Sequence, residues 1–168
     1  MIDTQIQELA ERLGRALQAR GWMLGTAESC TGGLLAGAIT AVAGSSNWFD
    51  RGFVTYSNDA KVEQLGVAPL ILAQHGAVSE QVARQMAVGV LAACPAAHVA
   101  ASTTGIAGPG GAVPGKPVGT VCFGFAHRSE DGLVVFAATR HFEGDRAQVR
   151  HSSVAYALEG LLQLSERR

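Results

Sequence analysis

Hydrophobic positions along the chain change period several times, and each change marks a predicted element. Ile2, Ile6, Leu9, Leu13 and Leu17 recur at helical spacing with charges opposite, so an amphipathic helix is predicted over 1–20, closed by Gly21. Apolar 22–27 reads as a short buried strand, and small-residue 31–42 as a helix. After a Gly44–Asn47 loop, 49–56 is rich in β-formers. Ser57, Asn58 and Asp59 suit the start of a short helix containing Lys61, Val62 and Leu65, and Pro69 opens another helical turn. Ser79 and Glu80 begin a long helix to about Ala93, with Val82, Met86 and Val90 on one side. A strand over 97–102 leads into a Gly/Pro-rich loop, 103–117. Strands at 118–127 and 133–142 read as an antiparallel hairpin, and 147–164 as the closing helix. This alternation predicts a single α/β layered domain over residues 1–168, with a mixed parallel/antiparallel sheet flanked by helices.

Composition narrows the function classes. The chain has 168 residues, 48% of them hydrophobic, which suffices for one well-buried core. Formal net charge is −1 and no basic run occurs, which argues against tracking a nucleic-acid backbone but leaves room for a small anionic ligand. Cys30, Cys94 and Cys122 are odd in number and widely spaced, so neither a disulfide framework nor a zinc site is predicted. Histidines 75, 98, 127, 141 and 151 have no metal-ligand spacing. No signal peptide is visible, and cytoplasmic residence is expected. Uncharged 29–49 is long enough to span a bilayer, but Gly32, Gly33, Gly37, Gly44 and the polar run after it break it, so no membrane span is expected.

Four stretches carry candidate chemistry. In Glu28-Ser29-Cys30-Thr31-Gly32-Gly33, two hydroxyls and a thiol lie where a strand turns into a helix. Such a terminus offers unpaired amides and a positive dipole end to an anion or a developing oxyanion. The same residues also serve as plain helix caps. In Tyr56-Ser57-Asn58-Asp59-Ala60-Lys61, one of only two lysines lies near a strand end. A serine nucleophile needs a base, and a partly desolvated lysine qualifies; a solvated surface lysine is the alternative. The Thr104-Gly105-Ile106-Ala107-Gly108-Pro109-Gly110-Gly111 loop can bring backbone amides close to a phosphate or carboxylate, or be a plain surface loop. Asp145 can cap the last helix, while Arg146 at a helix start is unfavourable unless an anion lies nearby. Gly110 to Lys116 matches G-x-x-x-x-G-K, but Pro117 stands where a nucleotide-binding loop needs Ser or Thr, and a strand follows instead of a helix.

Together, these four stretches resemble the C-terminal domain of the competence/damage-inducible CinA family, over about residues 4–164. Stand-alone members of that family are nicotinamide-nucleotide amidohydrolases, and long forms carry an additional N-terminal molybdopterin-binding-like domain, not expected here. The resemblance implies hydrolysis of the carboxamide of nicotinamide mononucleotide to nicotinate mononucleotide and ammonia, a pyridine-nucleotide salvage step, with no cofactor and no metal. It implies Ser29 as nucleophile, with Lys61 and Tyr56 as its activating partners. The expected substrate contacts are Cys30, Thr31 and Gly32 at the oxyanion, and Thr104, Gly105, Gly108, Gly110 and Arg146 toward the ribose phosphate. A homo-oligomer of at least two copies is also implied. Two rivals remain from the residues themselves: a non-catalytic nucleotide-binding module, and a hydrolase or acyltransferase that uses Cys30.

Overall fold

The computed structural model describes residues 3–167, so Met1 and Ile2 of the expected first helix lie outside the described residues. Helix α1 (Thr4–Arg20) starts under the Asp3 side chain, which accepts the Ile6 N–H, and ends at Gly21. Strand β1 (Leu24–Glu28) follows, buried along its whole length. Then come α2 (Leu34–Thr40), a short 3₁₀ turn at Ser45–Asn47, β2 (Phe49–Val54), α3 (Asn58–Leu65), α4 (Pro69–His75) and α5 (Glu80–Ala93). The chain closes with β3 (Val99–Gly105), β4 (Thr120–Ser129), β5 (Gly132–His141) and α6 (Arg146–Glu166).

The five strands form one sheet in the order β2-β1-β3-β4-β5. β1 pairs in parallel with β2 and β3, whereas β4 is antiparallel to both its neighbours. Strand alternation divides the core. Val99, Ala101, Val121, Phe123 and Phe125 face α1, α2 and α6. Ala100 and Ala126 face the α5 layer with Val82, Met86 and Val90. That second face is lined by small residues because α5 lies almost on it: a Cβ at Gly124 would stand 2.1 Å from the Ala83 carbonyl oxygen.

The expected mixed α/β architecture is present, with three instructive boundary differences. Helix α2 begins at Leu34 rather than Thr31, because Gly32 (φ +54°) and Gly33 (φ +102°) are left-handed and the chain turns once more before the helix. Strand β3 continues through Thr103, Thr104 and Gly105, which pair with Phe123, Cys122 and Val121 of β4; local composition reads as loop, but the neighbouring strand decides. The hairpin is tighter than expected, with only Glu130 and Asp131 between β4 and β5.

The topology also creates a crevice. From β1 the chain crosses through α2 on one face to β2, then returns through α3, α4 and α5 on the other face to β3. Strand order therefore reverses at β1, and the carboxyl ends of β1 and β3 open between the two crossovers, where open α/β sheets hold ligands. Among the described residues, no helix is long and apolar enough to cross a membrane.

Candidate active site

The chain leaves β1 at Glu28 and enters a tight turn. The Ser29 N–H donates to Thr103 O of the adjacent strand, and the Gly32 N–H returns to Ser29 O at 3.0 Å. Glu28 is 1% exposed, and its carboxylate is fully used. It accepts the Thr31 hydroxyl (2.6 Å) and the amides of Leu35 (2.8 Å) and Ala36 (3.1 Å). The free amides at the start of α2 thus have an internal anion. Thr31 is buried on this carboxylate and on Thr103 Oγ1 (2.7 Å), and Gly32 is exposed; neither lines the cleft beside Ser29.

Helix α3 supplies the partner. Its start is capped by Ser57, whose hydroxyl accepts the Ala60 N–H. One turn on, Lys61 enters the protein and is 1% exposed, with Nζ 3.0 Å from Ser29 Oγ and donating to Thr55 O at 2.9 Å. None of the ion pairs among the described residues involves Lys61. Burial without a carboxylate pushes its amine below the ordinary lysine range. Burial acts oppositely on the neighbouring Cys30, pushing its thiol up to about 12. Cys30 thus holds its proton more firmly than a free thiol does, and the hydrogen bond from Lys61 Nζ goes to Ser29 Oγ, which favours the serine over the cysteine as nucleophile.

These groups open into a cleft of about 310 Å³, within the range that holds small-molecule ligands. Ser29, Cys30, Tyr56 and Lys61 form one wall; Thr104, Gly105, Gly108, Gly110 and Arg146 are also at its surface. Ile106 uses its amide on Thr120 O, but the amides of Ala107, Gly108, Gly110 and Gly111 donate to no backbone acceptor among the described residues. Gly108 (φ +87°) leaves no space for a side chain, since a Cβ there would meet Val118 Cγ1 at 2.5 Å. Arg146, first residue of α6, donates to Gly108 O at 2.9 Å and to the Tyr56 hydroxyl at 3.1 Å. The fold thereby joins loop and arginine, which are 38 residues apart in sequence. Tyr56 is 62% exposed at the mouth, bound to Arg146, while Lys61 reaches Ser29 directly.

Two residues that sequence reasoning passed over shape the site. Glu28 lies in the first motif without a role there, because its use as a cap depends on the helix starting late. Arg150 follows Arg146 at i+4 on α6 and reaches the Ser29 turn; that spacing was the one signal for it in the sequence. The G-x-x-x-x-G-K match closes into a small turn, with Val113 and Lys116 exchanging backbone hydrogen bonds and Lys116 Nζ on His75 O. Among the described residues, no three His, Cys, Asp or Glu side chains converge in a metal-holding arrangement.

Comparison with known proteins identifies the family. The family described as the CinA C-terminal domain matches residues 6–165. A protein named nicotinamide-nucleotide amidohydrolase PncC from Enterobacter agglomerans is 55% identical over 162 residues, covering 96% of each chain. Its namesake from Escherichia coli K12 is 53% identical, over 97% of this chain and 96% of its own. Among solved structures, the competence/damage inducible protein CihA from Agrobacterium tumefaciens superposes with a TM-score of 0.91 at 46% identity, covering 99% of both chains.

Proposed function

The chain belongs to the CinA C-terminal domain family, and from that premise we propose that it is an amidase that hydrolyses the carboxamide of nicotinamide mononucleotide, releasing ammonia and nicotinate mononucleotide. The observation that carries the reading is the buried Lys61 amine 3.0 Å from Ser29 Oγ at the wall of a nucleotide-sized cleft. A depressed lysine pKa enlarges the fraction of neutral amine, and a neutral amine is a general base.

In this mechanism, the Ser29 hydroxyl proton moves to Lys61 Nζ as Oγ bonds to the carboxamide carbon. The carbonyl oxygen becomes an oxyanion beside the Cys30 amide, which donates to no backbone acceptor among the described residues. As the tetrahedral centre collapses, the C–N bond breaks and Lys61 returns its proton to the departing nitrogen, which leaves as ammonia. Water then attacks the acyl-enzyme, giving one proton to Lys61 that passes to Ser29 Oγ as the ester C–O bond breaks, and the acid is released and loses its remaining proton to solvent. The direct Ser29–Lys61 distance supports Lys61 as the base, and the Arg146 contact supports a role for Tyr56 in holding the arginine at the cleft mouth. Free amides from 107 to 111 and the Arg146 guanidinium suit the ribose phosphate. As the end of a nucleotide-salvage step, the product carries the carboxylate that the substrate lacked.

The test is ammonia release from nicotinamide mononucleotide, with the pyridine product identified by mass. Expected are stoichiometric ammonia and nicotinate mononucleotide, abolished in Ser29→Ala. Nucleotide binding without ammonia would overturn the proposal and leave a binding module.

A further inference from the structure

One turn beyond Arg146, helix α6 also touches the nucleophile turn. Arg150 Nε donates to Cys30 O at 3.1 Å, and its Nη2 approaches Thr31 O at 3.4 Å. The Ser29 carbonyl is already held by the Gly32 N–H, and the Thr31 carbonyl also accepts the Leu34 N–H at 2.9 Å. Three successive carbonyls of the turn are therefore held, two of them by Arg150. In a trans peptide the carbonyl and the following N–H point in opposite directions. With the Cys30 carbonyl turned toward α6, the Thr31 N–H points away from it. Among the described residues, the Cys30 and Thr31 amides donate to no backbone acceptor. The turn needs such a tie, because Gly32 and Gly33 follow it and glycine restrains the backbone least.

We infer that Arg150 is a positioning residue: its hold on Thr31 O fixes the peptide whose Gly32 N–H grips Ser29 O, and so keeps the Cys30 N–H, in the Ser29 peptide unit, turned toward the oxyanion. The inference rests on the amidase reading above, with Ser29 as nucleophile. It gives one face of α6 two roles, with Arg146 at the substrate loop and Arg150 at the nucleophile turn. A guanidinium on a carbonyl also polarises that peptide unit, strengthening its N–H as a donor. Its action is on the transition state, since the oxyanion forms only there.

The experiment compares Arg150→Met and Arg150→Lys with the unaltered protein in three readouts. These are kcat and KM for nicotinamide mononucleotide, the rate at which a fluorophosphonate labels Ser29 (followed by intact mass), and the thermal midpoint. A phosphonyl oxygen draws on the same amide, and labelling needs no nicotinamide substrate. Arg150→Met is expected to lose roughly ten- to a hundredfold in kcat and a similar factor in labelling rate, with KM within about threefold. Arg150→Lys keeps the charge and one donor but not the fork, so it should recover part of both losses. Should the methionine variant fail to fold, the lysine variant decides alone, with loss of kcat and labelling rate at steady KM expected. Unchanged kcat and labelling, or a kcat loss with normal labelling, overturns the inference. Ser29 labelling without ammonia release from the unaltered protein would instead overturn the substrate reading, leaving the labelling arm to judge Arg150.

Discussion

Under the proposed function, Ser29 and Lys61 pair an ordinary hydroxyl with an amine kept out of water. Ser29→Ala removes only a hydroxyl at a 9%-exposed position and should leave the fold intact while turnover falls by several orders of magnitude. Cys30→Ala should retain most activity, because Lys61 Nζ is hydrogen-bonded to the Ser29 hydroxyl and burial raises the Cys30 thiol pKa. Parallel ammonia assays on the two variants check both. Lys61→Arg keeps a cation that cannot deprotonate, so kcat should collapse, and the thermal midpoint should fall because a permanent charge is then buried without a carboxylate. In the unaltered enzyme, kcat/KM should rise with pH through a Lys61 limb lying below the ordinary lysine value of about 10.4. Stability has a matching sign. The unfolded chain binds the Lys61 proton up to about 10.4, while the folded chain releases it at lower pH, so stability falls as pH drops through that window. Lys61→Met should therefore raise the thermal midpoint near neutral pH, with the gain shrinking as pH approaches the unfolded value; calorimetry across pH reads this directly.

At the scale of elements, short connections place this chemistry. Helix α2 starts late, and the Glu28 carboxylate takes the amides that would otherwise face an empty helix end. Glu28→Ala leaves two amides unpaired and the Thr31 hydroxyl with Thr103 Oγ1 alone, which should cost about 2–4 kcal/mol by denaturant unfolding, summed from roughly 1–3 kcal/mol per unsatisfied amide with partial relaxation. Glu28→Gln, which keeps an acceptor, should cost clearly less. Helix α6 begins with a reciprocal cap, Asp145 on the Gln148 N–H and Gln148 on the Asp145 N–H. This cap sets the direction in which Arg146 and Arg150 leave the helix. Arg146 begins a helix, where a cation is unfavourable, yet Gly108 O and the Tyr56 hydroxyl accept from it.

At the scale of the whole molecule, the cleft divides into a reacting end at Ser29 and a loop end at Gly108 to Gly111. Under the proposed function the loop end takes the phosphate. Nicotinamide mononucleotide should then be a far better substrate than its riboside. Arg146→Ala should narrow that gap mainly through KM of the phosphorylated substrate, by about ten- to a hundredfold for a charge-assisted contact of roughly 1.5–3 kcal/mol. Measuring kcat/KM for both substrates on both proteins closes the cycle. Equal losses on the two would make Arg146 a strut between Gly108 and Tyr56 and put the phosphate elsewhere.

What was legible in the sequence was local. Helical and strand periods found each major element, because burial of one face imposes a repeat that any window reveals. Caps such as Ser57 and Asp145 are equally local, since a side chain there meets an amide three residues on. The motif residues could be named for the same reason. Tertiary structure alone decided what depends on separate segments meeting. It extended β3 through Thr103 to Gly105 by pairing them with β4 and buried Lys61 against Ser29 across 32 residues of chain. It gave Tyr56 to Arg146 and turned Thr31 inward onto Glu28. Through α6, it carried Arg150 to carbonyls about 120 residues away. A lysine's pKa or a carbonyl's direction is set by what surrounds it in space, and that surrounding is written only in the folded chain.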